Sequence, residues 1–235
     1  MVAEALVNHP LLPHWLRFIA TTVARDKVLR TIQYFSRFYA WYLYRLNKPQ
    51  SAIDPYNAVK KQFATTRKIL RIGKFAEHLK AALIALDHKN VADPVLRYLA
   101  VGRQLGYAGY LTLDTVTVMD AVGYRKLTGA KRIQEGAHRA WAMGLVCSAA
   151  ANVYTLFRLQ EEENTVDRKE GEGLTEVKKI ERQRTATQIQ LISDLCDLTV
   201  PGATLGFTQI DDGLVGLAGT VSSVIGVWSE WHRAA

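Results

Sequence analysis

The sequence predicts an all-α protein that works at a membrane, and three observations predict it. Apolar residues recur at helical spacing, and no stretch reads as a β-meander or a sandwich. Two uncharged runs, 140–157 and 213–229, come near the length needed to cross a hydrocarbon core of about 30 Å. The 235-residue chain is 49% hydrophobic with a mean hydropathy near zero, too apolar for disorder and too polar for a polytopic transporter. The expected fold is a helical membrane protein with amphipathic N-terminal helices and about two C-terminal membrane-spanning or membrane-embedded hydrophobic helices.

The stretch MVAEALVNHP lacks the basic start of a secretory signal, and Pro10 and Pro13 interrupt it. Residues 14–46 read as one or two helices, stopped by Asn47-Lys48-Pro49. Tyr34, Phe35, Phe38, Tyr39, Trp41, Tyr42 and Tyr44 point nearly all round this segment, either as a helix–helix core or as an aromatic belt at headgroup level. Residues 50–56 form a polar connector around Pro55, and Asp93-Pro94 starts a helix over 95–122. Within it Gly102 and Gly106 make a small-xxx-small pair that allows close helix approach; Gly219 and Ser223 make another in the second uncharged run. Between the two runs, 158–185 reads as a charged, solvated loop. A helix with Ile189, Ile192, Leu195 and Leu198 follows and ends before Pro201. The chain thus divides into a basic, amphipathic region 1–139, a hydrophobic helix 140–157, a charged loop plus helix 158–212, and a hydrophobic helix with the C-terminus 213–235.

The net charge of +8 is unevenly placed. Residues 25–80 carry thirteen Lys/Arg against three acids, whereas 158–212 carry seven against twelve. A basic front half implies an anionic partner, either nucleic acid or anionic lipid. If both uncharged runs cross the bilayer, the N- and C-termini share one side, and the basic excess of the front half puts that side in the cytosol.

Residues 60–86 carry the functional signal. On a helical wheel Ile69, Ile72, Phe75, Leu79, Leu83 and Leu86 gather on one side. Lys60, Lys61, Arg67, Lys68, Arg71, Lys74 and Lys80 supply a basic face, with Lys68 and Lys80 at the boundary, where long side chains snorkel. Read as a single helix, the segment suits a membrane interface, apolar side down and cations on anionic headgroups. Wedging apolar volume into one leaflet curves it. The same pattern also fits a core helix with a solvated back.

Signatures of catalysis are missing. The sequence has no HExxH, GxSxG or P-loop, and Gly73-Lys74 is followed by Phe75. The six histidines show no metal-ligand spacing. Cys147 and Cys196 form no CxxC pair and read as reduced thiols. The expectation is a protein that is not an enzyme, with no catalytic residue, no metal and no cofactor.

Several blocks resemble the fungal peroxin-11 family in order along the chain. They are RDKVLRTIQYFSRF (25–38), TTRKILRIGKFAEHLKAAL (65–83), DPVLRYLAVGRQLGYAGY (93–110), DRKEGEG (167–173), LISDLCDLTVPG (191–202) and GLVGLAGTVSSVIGVW (213–228). The resemblance implies a peroxisomal membrane protein that elongates the organelle before division, associates with itself, and meets the peroxin-19 import receptor and the dynamin-related fission machinery. It implies the membrane-inserting role for 60–86. The alternatives are a non-selective metabolite channel of the peroxisomal membrane and a soluble helical adaptor. Nucleic acid is not expected as a partner.

Overall fold

Helix boundaries follow local hydrogen-bonding signals. The computed structural model describes residues 9, 11–87, 93–165 and 171–235, and among them there are nine helices and no strand. These are α1 (Leu11–Ala20), α2 (Thr22–Arg45), α3 (Gln50–Leu70), α4 (Phe75–Asp87), α5 (Pro94–Val116), α6 (Val118–Ala121), α7 (Ala130–Thr165), α8 (Gly171–Thr204) and α9 (Asp212–Arg233). Thr21 caps α2 by accepting from the Ala24 amide, Asp93 caps α5 at Val95, and Asp211 caps α9 at Leu214. Pro94 sits in the first turn of α5, where no amide donor is needed. The all-α class is as expected.

The helices gather into two compact units. The first holds the chain up to Arg71 together with Ile210–Ala235; the second holds Ile72–Gln209. In the first, α2 packs against both α3 and α9. Helices α2 and α9 run antiparallel, with Gly213 against Trp41, Gly216 against Phe38, Gly219 against Tyr34 and Gly226 against Lys27. A Cβ on Gly216 would lie 2.5 Å from the Phe38 amide nitrogen, so this approach needs glycine. Helix α3 is tied to α2 through Arg67, whose Nε donates to Asp26 Oδ1 at 3.0 Å and whose Nη1 donates to Gln33 Oε1 at 2.8 Å. Helix α1 covers the far end: Phe18 is buried 5.4 Å from the Trp231 ring.

The second unit is a chain of neighbours, α4 on α5, α5 on α7, α7 on α8. Here α5 and α7 cross antiparallel through Gly102 against Cys147, Gly106 against Gly144 and Gly109 against Ala140. A Cβ on Gly106 would lie 2.6 Å from the Gly144 Cα. Asp194 joins α8 to α7, accepting from Ser148, from Asn152 Nδ2 at 2.9 Å and from Gln190 Nε2 at 2.8 Å. Asp93 accepts from the Tyr154 hydroxyl at 2.6 Å and from Arg158 at 2.7 Å, which locks the start of α5 to α7. The Tyr154 hydrogen bond, then the Val95 amide and Arg158, hold the Asp93 carboxyl below its ordinary value against the opposing effect of burial.

Four sequence expectations need correction. Residues 60–86 are not one helix: α3 ends at Leu70 and α4 begins at Phe75, with Gly73 between them at φ 80°. A wheel tests periodicity and is blind to a left-handed glycine that stops a helix. Residues 50–56 are no connector but the opening turns of α3, where Pro55 leaves one carbonyl without an amide partner on an exposed face. The charged stretch 158–185 is helical on both sides, to Thr165 and from Gly171; its Asp167-Arg168-Lys169-Glu170 core lies outside the described residues. Charges on its two helical arms pair, Arg184 with Glu163 and Lys179 with Glu176. Helix α8 passes Pro201 and stops at Thr204, just before Gly206 at φ 74°.

Candidate functional site

Exposed apolar residues fall into stripes. From Gly213 to Trp228 the exposed side chains of α9 are Leu214, Leu217, Val221, Val224 and Trp228, all apolar. Their spacing alternates three and four residues, which is one helix face about 21 Å long. Helix α7 repeats the pattern with Met143, Val146, Ala150, Val153 and Phe157. On α2, Ile32, Phe35 and Tyr42 are exposed along the same spacing, with half-buried Tyr39 among them and exposed Leu46 just past the helix end. Some polar residues lie inside: Arg30, Ser36, Arg67, Ser148, Asp194, Ser222 and Ser223 are buried. Continuous exposed apolar rows of this length suit contact with an apolar phase.

The predicted apolar face is split by the break at 71–74. Leu79, Leu83 and Leu86 lie exposed on α4, Leu83 at 67%. Ile69 is exposed at the end of α3, Ile72 in the turn, and Phe75 is half-buried. Ile84, which the wheel did not select, is exposed on α4 as well. The outward residues of α3 before Ile69 are mainly polar, with Ser51, Asp54, Lys61, Gln62 and Thr66 around the small Ala58, so large apolar surface begins only at Ile69.

The basic face divides more sharply. Arg67 is 6% exposed and belongs to the interior ion pair with Asp26, not to a headgroup-facing surface. Burial by itself would raise Asp26, but Arg67, Arg71 and Arg30 together outweigh it and hold the carboxyl below its ordinary value. Arg71 donates to the Arg67 carbonyl oxygen, and Lys60 lies 3.7 Å from Asp212, which Arg37 also engages. Lys68 and Lys74 are half-buried, while Lys61 and Lys80 are exposed. The small residues Gly102, Gly106 and Gly219 all sit at helix–helix contacts, and buried Ser223 donates to the Gly219 carbonyl within α9.

Two helices, Ala130–Thr165 and Asp212–Arg233, are long and apolar enough to cross a membrane. Comparison of the sequence fixes which membrane. The family described as peroxisomal biogenesis factor 11 matches residues 12–231. The chain belongs to this family.

Among peroxisomal biogenesis factor 11 relatives, the chain is 29% identical to the peroxisomal membrane protein PMP27 of Saccharomyces cerevisiae, covering 98% of this chain and 99% of that one. It is 21% identical to peroxisomal biogenesis factor 11 of Schizosaccharomyces pombe, over 96% and 97% of the two chains. It is 22% identical to human peroxisomal membrane protein 11B, over 91% and 94%. No solved structure matches. Family membership places this protein at the peroxisomal membrane. The relatives are named as membrane proteins or biogenesis factors, not as enzymes. Among the described residues no cluster of His, Cys, Asp and Glu is arranged to hold a metal.

Sequence reasoning marked both runs as hydrophobic helices but resolved no stripe on either. The larger apolar residues opposite their glycines and serines carried the signal at three-four spacing.

Proposed function

We propose that this protein binds the cytosolic leaflet of the peroxisomal membrane through its exposed apolar faces and curves it, with many copies elongating the organelle before division. The supporting observation is the exposed row Leu79, Leu83 and Leu86 on α4, preceded in the chain by exposed Ile69 and Ile72. Each such side chain contributes about 1.5–3 kcal/mol on full burial, and each cation near an anionic surface about 1 kcal/mol. Since Arg67, Arg71 and Lys60 have interior or intramolecular partners, the apolar term dominates, and Lys61 and Lys80 add attraction to anionic phospholipid. The role is structural and needs no catalytic group. Self-association and contact with the peroxin-19 receptor and dynamin-related fission machinery belong to the same proposal, as does a cytosolic position for both termini.

The test is tubulation of anionic liposomes by the full chain carrying Leu79→Glu or Leu83→Glu. Both side chains face outward, so helical content and melting temperature should hold while vesicle affinity falls roughly tenfold per site. Unchanged tubulation by the Leu79→Glu, Leu83→Glu double variant would sink the proposal.

A further inference from the structure

We propose that α9 does not cross the bilayer but lies along one leaflet beside α2, so that the first unit is a body seated on one side of the membrane. The inference rests on the membrane reading above and asks how the first unit sits in that membrane.

The uncharged run of α9 is not free to enter lipid alone. Over Gly213–Gly226 its glycine face is filled by α2 from Trp41 back to Lys27. That stretch of α2 carries Lys27, Arg30 and Arg37. Arg30 lies 5.2 Å from the centre of the Tyr34 ring, and Arg37 engages Asp212 at the start of α9. Through Asp26 and Arg67, α2 in turn holds α3. The outward residues of α3 include Ser51, Asp54, Lys61, Gln62 and Thr66. A crossing α9 would draw these charges and this polar surface into hydrocarbon, where ionisable groups are rare and costly.

Lying in the plane avoids that conflict. The apolar row Leu214–Leu217–Val221–Val224–Trp228 on α9 and the row Ile32–Phe35–Tyr42 on α2 then both meet acyl chains, while α3 stays in water. At the end of α9, exposed His232 and Arg233 lie beside an apolar surface of α1. Trp231 lies 6.1 Å from Trp15 of α1, whose Leu12, Trp15 and Leu16 are exposed.

A topological consequence follows. The first unit gathers the chain before Ile72 and after Gln209. Both ends of the segment 72–209 therefore return to the same leaflet, and this segment crosses an even number of times. Helix α7, apolar as it is, cannot be a lone crossing.

Counting labels on single molecules tests this. Gln209→Cys and Ala235→Cys flank α9, in a chain with Cys147→Ala and Cys196→Ala. The full chain is reconstituted into phosphatidylcholine–phosphatidylserine vesicles, recovered by flotation and treated with an impermeant polyethylene-glycol maleimide. An in-plane α9 gives molecules with no tag or two tags, whatever their orientation. A crossing α9 gives one tag per molecule and overturns the inference while leaving the membrane reading intact. Failure to float overturns both. If the cysteine-free background does not fold, the two cysteines go into the native chain, and tags gained over the parent are counted. Spin labels at Leu214, Val221 and Trp228 supply the independent readout. Equal depth at all three supports the in-plane helix, and a maximum at Val221 overturns it.

Discussion

Arg67 shows how a single residue changes meaning between sequence and structure. On a wheel it is one cation among seven; in the fold it is a buried partner of Asp26, closing α3 onto α2. Removing one partner of a buried pair leaves an uncompensated charge and costs about 3–5 kcal/mol. Asp26→Asn is therefore expected to destabilise the first unit by that order, measured by urea or thermal unfolding; Lys61→Gln and Lys80→Gln should leave unfolding unchanged and weaken anionic-vesicle binding instead. The pH dependence has a definite sign. The folded Asp26 carboxyl lies below the usual 3.8, so it binds fewer protons folded than unfolded near that pH. Its contribution is fully present above the unfolded value and is lost as pH falls through the folded one. Melting temperature should thus drop as acid passes below the ordinary carboxylate range, and Asp26→Asn should remove part of that drop.

At the scale of elements, the contact between α2 and α9 depends on backbone proximity. Gly216→Ala would place a methyl 2.5 Å from the Phe38 amide nitrogen, on a backbone that cannot yield as a flexible side chain does. Overpacking of this kind costs about 1–3 kcal/mol; unfolding of the purified chain should register it, and a variant as stable as the parent would show that the two helices do not meet this closely. The break between α3 and α4 has a different character. Gly73 holds φ 80° with open space around a built Cβ, so Gly73→Ala introduces only local backbone strain of about 1–2 kcal/mol. The expected result is a small loss of stability without disturbed packing.

At the scale of the whole molecule, the exposed apolar rows on α2, α4, α7 and α9 are surfaces suited to an apolar phase. Binding to anionic vesicles should therefore survive salt. At about 1 M the Debye length is about 3 Å, and headgroup attraction is largely screened, yet burial of the rows on α2, α4 and α9 is not. Flotation after a high-salt wash checks this; complete release would mean that surface charge alone holds the protein. The buried polar groups around Asp194 are satisfied by one another and knit α8 to α7, which favours a packed bundle over a lumen at that point.

By itself the sequence determined the helical class, the helix start at Asp93-Pro94, the family, and the apolar identity of 140–157 and 213–229. Each is written in near neighbours along the chain: three-four spacing, an Asp-Pro step, or an unbroken uncharged run. Tertiary structure alone decided where those features point. It brought 213–226 back onto 27–41, hid Arg67 against Asp26, and turned the larger residues opposite the glycines outward. Periodicity fixes which residues share a face of a helix, but what that face meets depends on partners far away in the chain.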